Sequence, residues 1–187
     1  MRRSASVLGW GSRPSSTLRI RRSNSMSAKN YNELTPQEIL MLAIDVEESN
    51  GTRLRTFAEL FADYAPDSAA LFAEIADEED QHARQLETAF ERRFGELQRT
   101  VTEQDVQEVV EAYDLDDGEH LVFDDLNLRR ALKIVLAAER RAEDFYRRAV
   151  EGATDPELRE LYRQLAEFED GHVQWIEARL ASLGGSA

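Results

Sequence analysis

The chain has 187 residues, 42% hydrophobic and 32% charged, with no cysteine and a formal net charge of −14. That length suits one domain with a sizeable core, and the lack of cysteine excludes disulfides, thiolate metal sites and iron–sulfur clusters on this chain. No apolar run approaches the roughly eighteen residues of a membrane-crossing helix, so no membrane partner is expected.

The charge is unevenly spread. Residues 1–30 hold seven Lys or Arg and no acid, which leaves sixteen Lys or Arg against thirty-seven acids in residues 31–187, a net −21. Such a surface disfavours nucleic acid and attracts cations. Met1 to Asn30 is rich in Ser, Arg and Gly without apolar periodicity, and is predicted to be a disordered basic tail. Its acid-free, Arg- and Ser-rich composition leaves organellar targeting open. Read as a plain extension, with Met26 as an alternative start, it implies a cytoplasmic protein.

Residues 31–187 are predicted to form one all-α domain of four helices. Thr35-Pro36-Gln37-Glu38 signals the first: Thr35 as N-cap, Pro36 at the first helical position and Glu38 completing a capping box. Its inward stripe runs Leu40, Ala43, Ile44, Glu47, Asn50, Leu54, Phe57, Ala58 and Phe61. Helix two is expected from about Asp67 to Gly95, with Leu71, Phe72, Ile75, Ala76, Glu79, His82, Ala83, Leu86 and Phe90 inward. A long crossover follows, from Gly95 to Leu126, with a short helix predicted over Thr102 to Tyr113. His120, in its acidic second half, has no acid at ligand spacing and reads as solvated loop. Helix three carries Leu132, Val135, Leu136, Glu139, Ala142, Glu143, Tyr146 and Ala149. Helix four opens at Asp155-Pro156 and carries Leu158, Leu161, Tyr162, Leu165, Glu169, His172, Val173, Ile176 and Leu180. Short turns make two antiparallel hairpins, and the crossover joins them.

Each stripe is apolar except at its centre. Glu79-Asp80-Gln81-His82 and Glu169-Asp170-Gly171-His172 stand ninety residues apart, each preceded by a lone glutamate, Glu47 and Glu139. A spacing of i, i+3 sets a carboxylate and an imidazole on one helical face, where both reach one ion. Bundles that bind two irons use this set: one Glu from each of two helices and Glu-x-x-His from each of the others. Four converging carboxylates would unfold a core unless protonated or neutralised, and two divalent ions balance four negative charges. Carboxylate and imidazole ligands suit Fe(II) or Mn(II).

Neighbours of the set carry expectations of their own. Glu143 reads as an extra ligand or acceptor, or as an ion pair with Arg147; Tyr146 and Tyr162 read mainly as packing, with a hydrogen bond to a ligand or radical trapping as the alternative. Asn50 is placed either on a ligand carboxylate or at a partly solvated position. Glu48 and Glu78, one residue off their stripes, are expected to face solvent, and Trp175 to pack or form an interface.

The segments Ala43-Ile44-Asp45-Val46-Glu47, Ala76-Asp77-Glu78-Glu79-Asp80-Gln81-His82, Glu139-x-x-Ala142-x-x-Phe145-Tyr146 and Glu169-x-x-His172 together resemble the rubrerythrin, or erythrin, branch of the ferritin-like superfamily, over about residues 36 to 183. Around Glu47-Glu48-Ser49-Asn50-Gly51 and Phe94-Gly95 the chain is similar to the erythrin domain of membrane-bound ferritin proteins, without their membrane domain. The resemblance implies a ferritin-like four-helix bundle with two irons per chain, manganese being the other candidate, reacting with peroxide or oxygen. It also implies Glu47, Glu79, His82, Glu139, Glu169 and His172 as ligands, in a peroxidase or ferroxidase serving iron handling and oxidative stress. Rubrerythrins proper append a Cys-rich electron-feeding domain. None is present here, so an electron donor would be a separate protein; a homodimer is expected. Iron storage or delivery, a di-metal oxygenase and a manganese catalase use the same ligands and stay open.

Overall fold

The computed structural model describes residues 29–102 and 127–183. They form four long helices: α1, Pro36–Phe61; α2, Pro66–Phe94; α3, Leu128–Gly152; and α4, Pro156–Ser182. The basic tail up to residue 28, the expected helix beyond Thr102 and His120 lie outside the described residues.

Local chemistry sets the helix ends. At α1 the Thr35 hydroxyl accepts from the Glu38 N–H at 3.2 Å while the Glu38 carboxylate accepts from the Thr35 N–H at 2.9 Å, closing the capping box. α2 opens one residue earlier than expected, at Pro66, whose fixed φ starts a helix without a side-chain cap. It stops at Gly95, which takes φ +83, and the Gly95 N–H returns to the Glu91 carbonyl at 3.0 Å. α4 is capped by Asp155, whose Oδ1 accepts from the N–H groups of Glu157 and Leu158 at 2.8 and 3.2 Å. Arg93 Nε donates to the other Asp155 oxygen at 3.0 Å, tying the end of α2 to the start of α4.

The helices pair as two hairpins, α1 with α2 and α3 with α4, and the hairpins meet α1 against α3 and α2 against α4. Two apolar clusters fill the bundle. One gathers the start of α1, the end of α2, the end of α3 and the start of α4, including Leu40, Ile44, Leu86, Phe90, Tyr146, Tyr162 and Leu165. The other gathers the opposite ends, including Leu54, Phe61, Phe72, Ile75, Leu132, Val135 and Ile176. α2 finishes in one cluster and α3 begins in the other, at opposite ends of the bundle. Each fully buried Leu, Ile or Phe contributes roughly 1.5–3 kcal/mol, so both ends are firmly held. Between the clusters lies one layer of buried polar side chains.

Among the described residues, no helix is long and apolar enough to cross a membrane.

Candidate metal centre

That layer is made by Glu47 on α1, Glu79 and His82 on α2, Glu139 on α3, and Glu169 and His172 on α4, all buried. The four carboxylate residues expose 0% of their surface. The six fall into two overlapping groups, Glu47–Glu79–His82–Glu169 and Glu79–Glu139–Glu169–His172, within each of which one ligand atom per residue lies inside 4.8 Å of the others. Glu79 and Glu169 belong to both groups.

Both imidazoles aim Nδ1 inward. His82 Nδ1 lies 3.4 Å from Glu47 Oε2 and 3.7 Å from Glu79 Oε2. His172 Nδ1 lies 3.4 Å from Glu79 Oε1, 3.4 Å from Glu139 Oε2 and 3.6 Å from Glu169 Oε2. Ligands about 2.1 Å from an octahedral ion stand about 3 Å apart when adjacent and about 4 Å apart when opposed, so this spacing suits a cation in each group. Seven inward atoms of the set have no hydrogen-bond partner: Glu47 Oε2, both oxygens of Glu79, His82 Nδ1, Glu139 Oε1 and both oxygens of Glu169. Buried polar atoms in a native core are almost always partnered, and a cluster of orphans with one donor chemistry fits divalent cations.

Protonation answers the crowding when no cation is bound. Burial pushes the Glu47 and Glu169 carboxyls well above the usual carboxylate range, with the neighbouring Glu79 charge adding to it. Burial acts the same way on Glu79, but contacts from Glu47, His172 and His82 outweigh it and leave that group below its ordinary value. Burial pulls His82 down, yet the carboxylates of Glu47 and Glu79 prevail and raise it to about 9. Glu139, Glu169 and Glu79 raise His172 in the same way, against its burial.

The surroundings complete the site and revise two expectations. Glu78 does not point to solvent: its Oε2 lies 2.9 Å from Nε2 of His172, because position 78 borders α4 across the α2–α4 groove. Tyr146 does more than pack, since its hydroxyl donates to Glu47 Oε1 from α3. Periodicity gives the face a residue occupies on its own helix, not the group opposite. Glu143 lies outside both groups and pairs with Arg147. Glu48 pairs with Arg99 at 2.6 Å. Buried Asn50 accepts from Arg53 at 2.9 Å rather than holding a ligand. Tyr162 stacks on Tyr146, ring centres 6.2 Å apart. Two exposed aromatic rings of α4 flank the histidines: Phe168 sits 4.9 Å from the His82 ring and Trp175 5.9 Å from that of His172.

Four helices in two hairpins around a buried carboxylate–histidine layer define an all-α four-helix bundle of the ferritin-like fold. Residues 38–180 match the rubrerythrin family, and the chain belongs to that family. It resembles in fold an uncharacterised conserved protein from Magnetospirillum magnetotacticum MS-1, with 21% identity and TM-score 0.63 over 80% of this chain and 95% of that one. A hypothetical protein from Pyrococcus furiosus is similar too, with 20% identity and TM-score 0.62 over 81% of this chain and 91% of that one. No curated protein matches the sequence.

Proposed function

We propose that this protein is a non-haem di-iron protein that oxidises Fe(II) with peroxide or oxygen, using Glu47, Glu79, His82, Glu139, Glu169 and His172 as ligands. The observation that carries this reading is the set of seven unpartnered inward N and O atoms in a core otherwise closed by apolar side chains. When bound, two Fe(II) ions supply one electron each to a peroxide, which takes up two protons and leaves as two waters.

The chain's part is binding, orientation and exclusion of water. Glu79 and Glu169 belong to both groups and would be shared by two ions; Glu47 with His82, and Glu139 with His172, would hold one ion each. Leu and Phe layers above and below keep bulk water from the ligands and hold their rotamers. A separate donor returns electrons if the protein turns over as a peroxidase.

The test is anaerobic loading with Fe(II), a count of metal per chain, and oxidation rates with peroxide against oxygen. Two irons and fast turnover with peroxide support a peroxidase, and a preference for oxygen with ferric mineral formation supports storage. Stoichiometric binding without oxidation by either would refute the reading. Glu139→Ala is expected to abolish the pair.

A further inference from the structure

The two hairpins are related by an internal repeat, and the repeat is broken at two positions beside the ligands. With an offset of ninety, Glu79 corresponds to Glu169, His82 to His172, and Glu78 to Phe168. These last two occupy the same place, each reaching across the groove to the histidine of the other half. Glu78 sets a carboxylate 2.9 Å from His172 Nε2. Phe168 sets a ring 4.9 Å from His82, and among the described residues His82 has no carboxylate on its outer nitrogen.

The second break concerns the lone glutamates. Seven residues after Glu139 stands Tyr146, whose hydroxyl donates to Glu47 Oε1 across the bundle. Seven residues after Glu47 stands Leu54, buried and apolar, so the reciprocal donor to Glu139 is missing. Glu47 therefore offers one free oxygen, Oε2, whereas Glu139 keeps Oε1 unpartnered and turns Oε2 to His172 Nδ1 at 3.4 Å.

Both differences act in one direction. A carboxylate on the outer N–H of a ligating imidazole fixes its tautomer, holds the ring and strengthens its inner nitrogen as a donor. A hydroxyl on one carboxylate oxygen withdraws that oxygen and restricts the group to one-point binding. We propose that the two halves of the centre bind unequally: the Glu139–His172 position takes the first divalent ion and holds it, and the Glu47–His82 position takes the second weakly and exchanges it. Glu78 is then a positioning residue acting through His172. The proposal rests on the ligand reading above. It adds that iron passes through one end of the centre while the other end stays filled.

The full chain, stripped of metal and titrated anaerobically with Co(II) against a chromophoric chelator, reads the two steps directly, with the visible d–d bands reporting the coordination at each. Two ions are expected in steps separated by roughly 10-fold or more in affinity. Phe168→Glu gives His82 the carboxylate it lacks and should tighten the weaker step by about 10–100-fold, leaving the tighter one in place. Position 168 is half-exposed at the surface of α4, so a charged side chain is accommodated there. Glu78→Phe should weaken the tighter step by a similar factor, and Glu78→Gln, which keeps an acceptor oxygen, should preserve most of it. Two equal steps, or a weaker step unmoved by Phe168→Glu, would overturn the inequality while leaving the di-metal reading intact. Fewer than two ions per chain would overturn that reading and the inequality with it.

Discussion

Glu169→Gln isolates what the unliganded centre costs the fold. Glu169 is fully buried, neither of its oxygens has a partner, and burial beside Glu79 lifts its carboxyl well above the usual range. Holding it neutral in the folded protein at a pH above the ordinary carboxylate range costs stability, because the unfolded chain ionises freely there. Glutamine has nearly the same shape and helix propensity and carries no such cost. The sign follows from the raised carboxyl. The penalty is absent below the unfolded value, opens as pH rises through it, and grows until the folded value is reached. In chelator, Glu169→Gln is therefore expected to be more stable than wild type at pH 7, with a smaller gain at pH 5. For a chain of this size each kcal/mol of that gain reads as a rise of roughly 2–4 °C in Tm. Added Mn(II) should reverse the order, since each ion at a hundred times its Kd adds about 2.7 kcal/mol to wild type and the substitution removes a carboxylate shared by both groups. Calorimetry at the two pH values checks this. A variant less stable than wild type in chelator, or a difference that does not change with pH, would refute the electrostatic reasoning.

Three further outcomes follow from the same geometry. His82, raised to about 9, is an imidazolium at pH 7 in the metal-free protein, so ion binding should release protons and affinity should climb as pH rises from 7 toward 9; titration calorimetry in buffers of different ionisation enthalpy measures the release. Tyr146→Phe removes the hydroxyl that donates to buried Glu47 and should cost roughly 1–3 kcal/mol in denaturant unfolding of the metal-free protein, a loss that metal largely restores. Gly171, inside α4 with nothing within 4 Å of where a Cβ would stand, should gain about 1 kcal/mol on substitution by Ala, read as a rise in Tm at unchanged metal content.

How much of this was legible in one dimension depends on how far each feature reaches. Helix starts at Thr35 and Asp155 were readable because a cap is a contact over three residues. The six acids and histidines stood out for a similar reason, as each interrupts an apolar stripe of its own helix at the helical period. The reversed direction of the second hairpin also followed, from the length of the crossover.

Which groups meet across the bundle was decided by packing alone. Periodicity put Glu78 one residue off its stripe and so toward solvent, yet α4 runs alongside that edge of α2 and brings His172 to it. It put Tyr146 in the core and left its hydroxyl between plain packing and a bond to some ligand, because the acceptor, Glu47, lies on another helix ninety-nine residues away. Glu143 could be ligand or ion pair by spacing; it pairs with Arg147 one turn on along α3 and lies outside both acid–histidine groups. By itself the sequence determined which acids and histidines interrupt the apolar stripes and which helices carry them, since both are set by local spacing. The partners of those side chains came only from tertiary structure, because the relative rotation and depth of neighbouring helices depend on how every core side chain fits at once.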